Sequence, residues 1–155
     1  MNKKFMRKAI ELSIDNVKNN LGGPFGAVVV KDGKIIATGA NCVTSHNDPT
    51  AHAEVTAIRN ACKKLGSFQL DECEIYTSCE PCPMCLGAIY WARPKAVYYG
   101  NTKADAAKID FDDQFIYDEI DLPLHKRKLK MQQFLGDEAI KAFELWANNT
   151  KKTEY

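Results

Sequence analysis

Three cysteines within one short turn constrain this chain more than any other feature of its sequence. Cys79, Cys82 and Cys85 lie in the stretch SCEPCPMC, residues 78–85, where two prolines restrict the backbone between the thiols. Thiolates that lie this close together act as metal ligands, as redox partners or as disulfides. The turn therefore predicts one of these three kinds of site.

An imidazole and a carboxylate upstream favour the metal site. His52 and Glu54 lie two residues apart in the stretch PTAHAE. A catalytic zinc ion uses three protein ligands and keeps a fourth position for water, and His52, Cys82 and Cys85 would supply the three. Glu54 would take a proton from the water and pass it to a ring nitrogen and a departing amine. The combined pattern, H-x-E followed by P-C-x-x-C, is typical of zinc-dependent nucleobase deaminases.

Two other interpretations of the cysteines stay open from the residues alone. If Cys79 were a fourth ligand, the site would be closed and structural, as in a zinc-stabilised binding module without catalysis. A redox pair of the thioredoxin kind would need only the C-x-x-C turn at a helix start. Neither interpretation gives a role to Glu54, and the redox one also leaves His52 unused.

The composition predicts one domain over residues 1–155 and excludes little else. Hydrophobic residues make up 45% and charged residues 26% of the chain, as in ordinary globular proteins. A formal net charge of +1 offers no basic face, which disfavours a long nucleic acid as partner. No signal peptide and no membrane-spanning apolar run is visible, so we expect a cytoplasmic protein without membrane contact, whose cysteines stay reduced.

Apolar periodicity and turn residues predict an α/β fold. An Asp-Gly turn at residues 32–33 indicates a β-hairpin, and the two motif segments each open a helix. The resulting order, β-β-α-β-α-β after a first helix, predicts a mixed sheet with helices packed on it. The expected helices are 2–19, 51–65, 83–92, 111–120 and 137–148, with Asp48 or Thr50 capping the second. The expected strands are 26–30, 35–38, 74–77, 96–99 and, more weakly signalled, 128–134.

At the motif residues the chain resembles the cytidine/deoxycytidylate deaminase superfamily, and within it the small bacterial members that act on guanine. The resemblance implies a three-layer α/β/α fold, a central mixed sheet with helices on both faces. It is carried by the following segments: GGPFGA (22–27), NDPTAHAE (47–54), YTSCEPCPMC (76–85), LGAIYWA (86–92), FDD (111–113) and KTEY (152–155).

The resemblance also implies a reaction. Guanine and water would give xanthine and ammonia, with one zinc ion per subunit held by His52, Cys82 and Cys85. Glu54 would shuttle protons. The substrate, a small purine base, would be contacted by residues that spacing alone does not single out: Asn41 by a hydrogen bond, Phe25 and Trp91 at its sides, and Asp113 by a bond that also helps to protonate the leaving ammonia.

A homodimer is implied as well. The C-terminal segment, about 121–155, would be exchanged between subunits, so that Tyr155 of one subunit closes the site of the other. From the residues alone, simpler roles stay open: Asn41 in a turn, Phe25 and Trp91 in the core, Asp113 at a helix cap. Tyr155 would ordinarily be frayed at the chain end.

A different base is the alternative substrate. Cytosine deaminases and tRNA-adenosine deaminases carry the same zinc core. An RNA substrate would need a basic surface, for which the run at 125–130 is the candidate, but runs of charge are usually solvated and the net charge is nearly zero.

Overall fold

A four-stranded mixed sheet organises the first of two units into which the chain divides. The structure, a computed structural model, describes residues 1–155, with units Met1–Asp113 and Gln114–Tyr155. The sheet order is β2-β1-β3-β4. Strand β1 is antiparallel to β2 and β3, and β3 is parallel to β4. The elements of this unit are α1 (Lys3–Lys18), β1 (Gly26–Lys31), β2 (Lys34–Ala40), α2 (Val43–His46), α3 (Ala53–Leu65), β3 (Glu74–Cys79), α4 (Pro83–Ala92), β4 (Ala96–Asn101) and α5 (Lys103–Ala107).

Strand β1 shows why the sheet is covered on both faces. Its side chains alternate between two clusters: Ala27 and Val29 join one core, and Val28 and Val30 join the other. The first core is filled by α3 and α4, and the second by α1. A strand buried on both faces reads as a continuous apolar run, which is how β1 looks in the sequence. The α/β fold with helices on both faces of a mixed sheet is confirmed.

Helix α1 uses a different face from the one that its apolar residues suggest. Its buried positions are Phe5, Ala9, Ser13 and Asn16, spaced by four, four and three residues. Three apolar residues of the helix lie on its exposed side: Ile10, Ile14 and Val17. The predicted helix forms, but its buried face includes two polar residues, Ser13 and Asn16.

Helix α3, which carries Glu54, begins later than expected. Helix α3 starts at Ala53 with His52 as its N-cap residue, and no side chain caps it. The expected cap from Asp48 or Thr50 is wrong, because these residues bond to each other: Asp48 Oδ1 accepts from the Thr50 backbone N–H at 2.8 Å and from its hydroxyl at 2.7 Å. His52 has extended backbone and lies directly before the first residue of the helix.

The second unit consists of helices alone. It contains α6 (Gln114–Asp121), a short 3-10 helix (Leu124–Lys126) and α7 (Gly136–Ala147). The weakly signalled strand at 128–134 is wrong, since no strand forms there. None of the residues of this unit is buried, and apolar side chains such as Phe143 and Leu145 are exposed. No helix in the structure has both the length and the apolar character that crossing a bilayer requires.

Close packing of β2 against α3 gives a testable stability prediction. A methyl group added at Gly39 would overlap backbone atoms of Ala53 and Ala57, so Gly39→Ala forces the helix away from the sheet. We expect a loss of about 1–3 kcal/mol in the free energy of unfolding, measured by urea denaturation. The matched control is Gly87→Ala, whose added methyl group meets open space on the exposed side of α4. This change should be neutral or stabilise by up to about 1 kcal/mol, and equal losses in both variants would contradict the packing argument.

Candidate active site

Two helices begin at the candidate site, each directly after a candidate zinc ligand. His52 is the N-cap residue of α3, and Cys82 is the N-cap residue of α4, with Pro83 in its first turn. Cys85 follows one turn into α4, on its buried side. Because helix N-termini favour negative charge, both helix starts stabilise thiolates and other anions between them.

The ligand atoms of these three residues form one cluster. The Nδ1 atom of His52 lies 3.6 Å from the Sγ atom of Cys82 and 3.5 Å from the Sγ atom of Cys85. All three ligand atoms lie within 4.8 Å of one another. In a tetrahedron with Zn–N near 2.0 Å and Zn–S near 2.3 Å, an N···S edge is about 3.5 Å. The donor set and its spacing therefore fit a tetrahedral zinc ion with one position left over.

Electrostatics in the cluster favour a thiolate. The pKa of Cys82 is lowered to about 4, first because Cys85 donates a hydrogen bond to its sulfur and then because His52 lies beside it. The pKa of Cys85 is raised correspondingly by its hydrogen bond to Cys82 and by burial. The hydrogen bond to Cys82 also raises the pKa of His52. A bound zinc ion would take the place of the protons that these side chains carry.

Glu54 lies in the first turn of α3 and is almost completely buried. Its Oε1 atom accepts a hydrogen bond of 3.0 Å from the hydroxyl of Thr77 on β3. Burial raises the pKa of this carboxyl group, and the charge of Cys82 raises it further. Thr77 binds one oxygen of the carboxylate, and the group interacts with Cys82 and Cys85 without being one of the three clustered ligands.

Cys79 does not join the ligand cluster. Its thiol points instead to the carbonyl oxygen of Thr102, at 3.7 Å. Burial, and then the charge of Glu54, raise the pKa of Cys79 to about 11, so the thiol keeps its proton. A closed site with four protein ligands is therefore not what the geometry favours. All six cysteines are free of disulfides.

The expected purine contacts Asn41 and Phe25 lie together. Asn41 follows β2 and is buried, and its backbone N–H donates to the carbonyl of Phe25 at 3.0 Å. The next residue, Cys42, donates its N–H to the carbonyl of Ala51, which precedes His52. Phe25 packs edge-to-face on Phe111, with ring centroids 4.9 Å apart. Hydrogen bonds therefore link Asn41 both to Phe25 and to the segment that carries the histidine.

The other three residues expected to contact the purine are Asp113, Trp91 and Tyr155. Asp113 is half-buried, and burial and then the charge of Cys82 raise its pKa. Trp91 lies in the last turn of α4 and is 65% exposed. Tyr155 lies at the chain end, in the second unit, and is also exposed. The roles expected for these three residues stay predictions.

Sequence reasoning missed two residues that hold the site together. Thr77 binds Glu54, yet a threonine inside a strand carries no signal of such a contact. Asn16 donates from its side chain to the carbonyls of Gly23 and Asn41, both at 2.8 Å. Its signal was available: Asn16 is a polar residue on the helix face that Phe5 and Ala9 also occupy.

Comparison with known proteins agrees with this geometry. Residues 1–101 match the cytidine and deoxycytidylate deaminase zinc-binding region. The chain belongs to this deaminase family. The guanine deaminase of Bacillus subtilis is 59% identical over 151 residues, which cover 97% of each chain.

Solved structures and a second relative complete the comparison. An X-ray structure of the Bacillus subtilis guanine deaminase superimposes with a TM-score of 0.97 at 58% identity, covering 100% of this chain and 99% of that one. The tRNA-specific adenosine deaminase of Aquifex aeolicus is 34% identical over 117 residues, covering 75% of this chain and 74% of its own. The deaminase family thus spans both a free base and an RNA nucleoside among its named activities.

The ligand cluster makes a prediction about metal content. Elemental analysis of the purified protein should find about one zinc ion per chain, and Cys85→Ser should lose most of it, because two ligands hold zinc poorly. The control is Cys62→Ser, which changes a half-buried thiol near the C-terminal end of α3, outside the ligand cluster. Full zinc in Cys85→Ser, or equal loss in Cys62→Ser, would contradict the assignment of the site.

Proposed function

We propose that the chain catalyses the zinc-dependent hydrolytic deamination of guanine to xanthine and ammonia. The observation that carries the chemistry is the cluster of three ligand atoms with the buried carboxyl group of Glu54 beside it. The choice of guanine rests on the similarity to the Bacillus subtilis enzyme, which extends over nearly the whole of both chains. Together they imply one reaction class and one substrate.

His52, Cys82 and Cys85 would hold the zinc ion. When bound, zinc lowers the pKa of a water molecule in its fourth position from about 15.7 to about 7, which makes an attacking oxygen available at neutral pH. The positive ends of α3 and α4 face the same point and favour the negative charge that develops there.

Glu54 moves the protons. Its carboxylate takes the first proton of the attacking water and delivers it to the ring nitrogen next to the carbon that bears the amine. The water oxygen forms its bond to that carbon. Glu54 then carries the remaining hydroxyl proton to the amine, the carbon–nitrogen bond breaks with its electron pair on nitrogen, and ammonia leaves. Thr77 keeps one carboxylate oxygen fixed during both transfers.

The base itself would be held by the residues around Asn41. Asn41 would hydrogen-bond the purine, Phe25 would lie at one side of it and Trp91 at the other, and Asp113 would bind the substrate and help to protonate the leaving ammonia. In support, Asn41 and Phe25 are joined by a backbone hydrogen bond, and Phe25 is steadied by Phe111.

A homodimer that exchanges its C-terminal segments is part of the proposal. A unit of residues 114–155 with no buried residue has no core of its own, so its apolar side chains need a partner surface. A second copy of the chain would supply it, and Tyr155 of the partner would close the site. The six free cysteines support a cytoplasmic location.

Deamination of another base is the second candidate. The similarity to a tRNA-specific adenosine deaminase favours it, but that match leaves a quarter of this chain uncovered. The basic run also has a structural use: the guanidinium of Arg127 binds the carbonyl oxygens of Ile120 and Leu122 at 2.8 Å and 3.0 Å. Arg127 therefore closes the end of α6, and this structural use counts against a role for it in RNA binding.

Ammonia release from a panel of substrates tests the function. Guanine should be turned over, whereas guanosine, cytosine and a tRNA anticodon stem should not. Glu54→Gln should lower kcat for guanine by about 100-fold to 10,000-fold, because the amide cannot transfer the protons, while the zinc content stays unchanged.

A matched control separates this role from loss of a hydrogen-bonded carboxylate in general. Glu74 also accepts a hydrogen bond from a hydroxyl, that of Tyr76 at 2.9 Å, but it lies at the other end of β3. Glu74→Gln should keep kcat within about threefold of the wild type. Turnover of the RNA alone would replace guanine as substrate, and full activity of Glu54→Gln would contradict the role of Glu54 in proton transfer.

Segment exchange can be tested by complementation. Glu54→Gln and Tyr155→Ala chains are each expected to have low activity. If Tyr155 acts in the partner's site, mixed dimers contain one site with both Glu54 and Tyr155 intact. After random reassociation half of the dimers are mixed, so about a quarter of wild-type activity should return. No recovery in dimers shown to be mixed would mean that Tyr155 acts in its own subunit or has no role.

A further inference from the structure

A network of asparagines links α1 to the expected base-binding residue. The side chain of Asn16 is buried and uses both of its N–H groups, donating to the carbonyls of Gly23 and Asn41 at 2.8 Å each. Gly23 in turn donates its backbone N–H to Asn41 Oδ1 at 3.2 Å. The N–H of Val43 donates to the same oxygen at 3.4 Å. Asn16, Gly23, Asn41 and Val43 are called the asparagine network below.

The network fixes which end of the Asn41 amide faces the site. Backbone N–H groups can only donate, so the atom that receives them from Gly23 and Val43 must be the carbonyl oxygen of the amide. The amino group makes no hydrogen bond within the chain, and no buried side-chain nitrogen or oxygen is left without a partner. The amino group of Asn41 therefore reaches accessible space with both of its donors available.

The backbone around the asparagine network is closely packed at Gly22. A methyl group at Gly22 would overlap the carbonyl oxygen of Asn41 and would lie 3.1 Å from the amide nitrogen of Asn16. The loop after α1 and the end of β2 are thus in direct backbone contact at Asn41. A side chain at position 22 would displace the carbonyl of Asn41 that accepts from Asn16.

We propose that Asn16 is a positioning residue that makes Asn41 an obligatory hydrogen-bond donor toward the base. It holds the backbone of Asn41, and through Gly23 it also holds the N–H that occupies the Asn41 oxygen. The site then selects purines that present an acceptor, a ring nitrogen or carbonyl oxygen, at this edge. It rejects bases that present an N–H there, because two donors would face each other. This inference rests on the proposed function for the placement of the base.

A double-mutant cycle on KM and kcat tests the proposal. Asn41→Ala should raise the KM for guanine by about 10-fold to 100-fold, because one hydrogen bond to the base is lost. Asn16→Ala should raise KM by about 5-fold to 10-fold with kcat within about 2-fold. In the Asn41→Ala background the same change at Asn16 should have almost no further effect, because it acts through Asn41.

Further variants protect the test against misfolding. Asn16→Asp keeps the shape of the side chain but replaces the donor group, so it should raise KM like Asn16→Ala. Asn41→Asp still accepts from Gly23 and Val43 but turns an acceptor toward the base, so it should raise KM at least as much as Asn41→Ala. Asn60→Ala is the control. The side-chain amide of Asn60 donates a hydrogen bond to the carbonyl of Thr38 at 2.9 Å, outside the network, so its loss should leave KM unchanged.

Base analogues test the donor directly. In 7-deazaguanine the ring-nitrogen acceptor that lies away from the reacting carbon is replaced by C–H. If Asn41 donates to this nitrogen, 7-deazaguanine should bind the wild type more weakly than guanine, yet bind Asn41→Ala as well as guanine does. If it donates to the carbonyl oxygen, 7-deazaguanine should not differ from guanine, and 2-aminopurine, which lacks that oxygen, should show the loss instead.

The outcomes separate the two levels of the argument. Equal KM increases from Asn16→Ala in both backgrounds, or a fall in thermal stability with no change in KM, would overturn the positioning role while leaving the function intact. An unchanged KM in Asn41→Asp would overturn the donor assignment. Absence of guanine turnover by the wild type would overturn the proposed function, and the same cycle would then be measured with the base that the chain does deaminate.

Discussion

The convergence of two helix starts on one point is the constraint on which the site depends. His52 and Cys82 occupy the N-cap positions of α3 and α4, and their ligand atoms come within 3.6 Å. Both residues have extended backbone, and neither caps its helix with its side chain. The imidazole and the thiol are therefore left available for a metal ion, and the helix ends supply the positive potential that favours a thiolate there.

The sheet fixes the positions of these two helix starts relative to each other. Strand β3 ends at Cys79, just before the turn that leads into α4, and its Thr77 reaches across to Glu54 on α3. The small residues Ala53, Ala57 and Ala61 let α3 lie close to the sheet. A buried carboxyl group is costly unless it is hydrogen-bonded, so the Thr77 contact both stabilises Glu54 and sets its direction. Core packing and catalytic geometry are thus decided by the same interface.

The local rules of the sequence predicted most of the first unit. Helix α4 begins and ends where its pattern predicts, and the Asp-Gly turn forms the hairpin of β1 and β2. The errors have physical causes. Apolar residues alone suggest a different buried face for α1, but Asn16 is buried because two backbone carbonyls satisfy it. The strand expected at 128–134 fails in a unit that has no sheet and no core.

The sequence by itself determined the donor set of the site, because H-x-E and P-C-x-x-C place an imidazole, a carboxylate and two thiols at helix starts that local signals predict. Only the tertiary structure decided that Cys79 is turned away toward Thr102 and that the side-chain oxygen of Asn41 accepts from the backbone of Gly23 and Val43. These outcomes depend on contacts between segments far apart in the chain. Residue type and spacing carry no information about which partner a polar atom finds there.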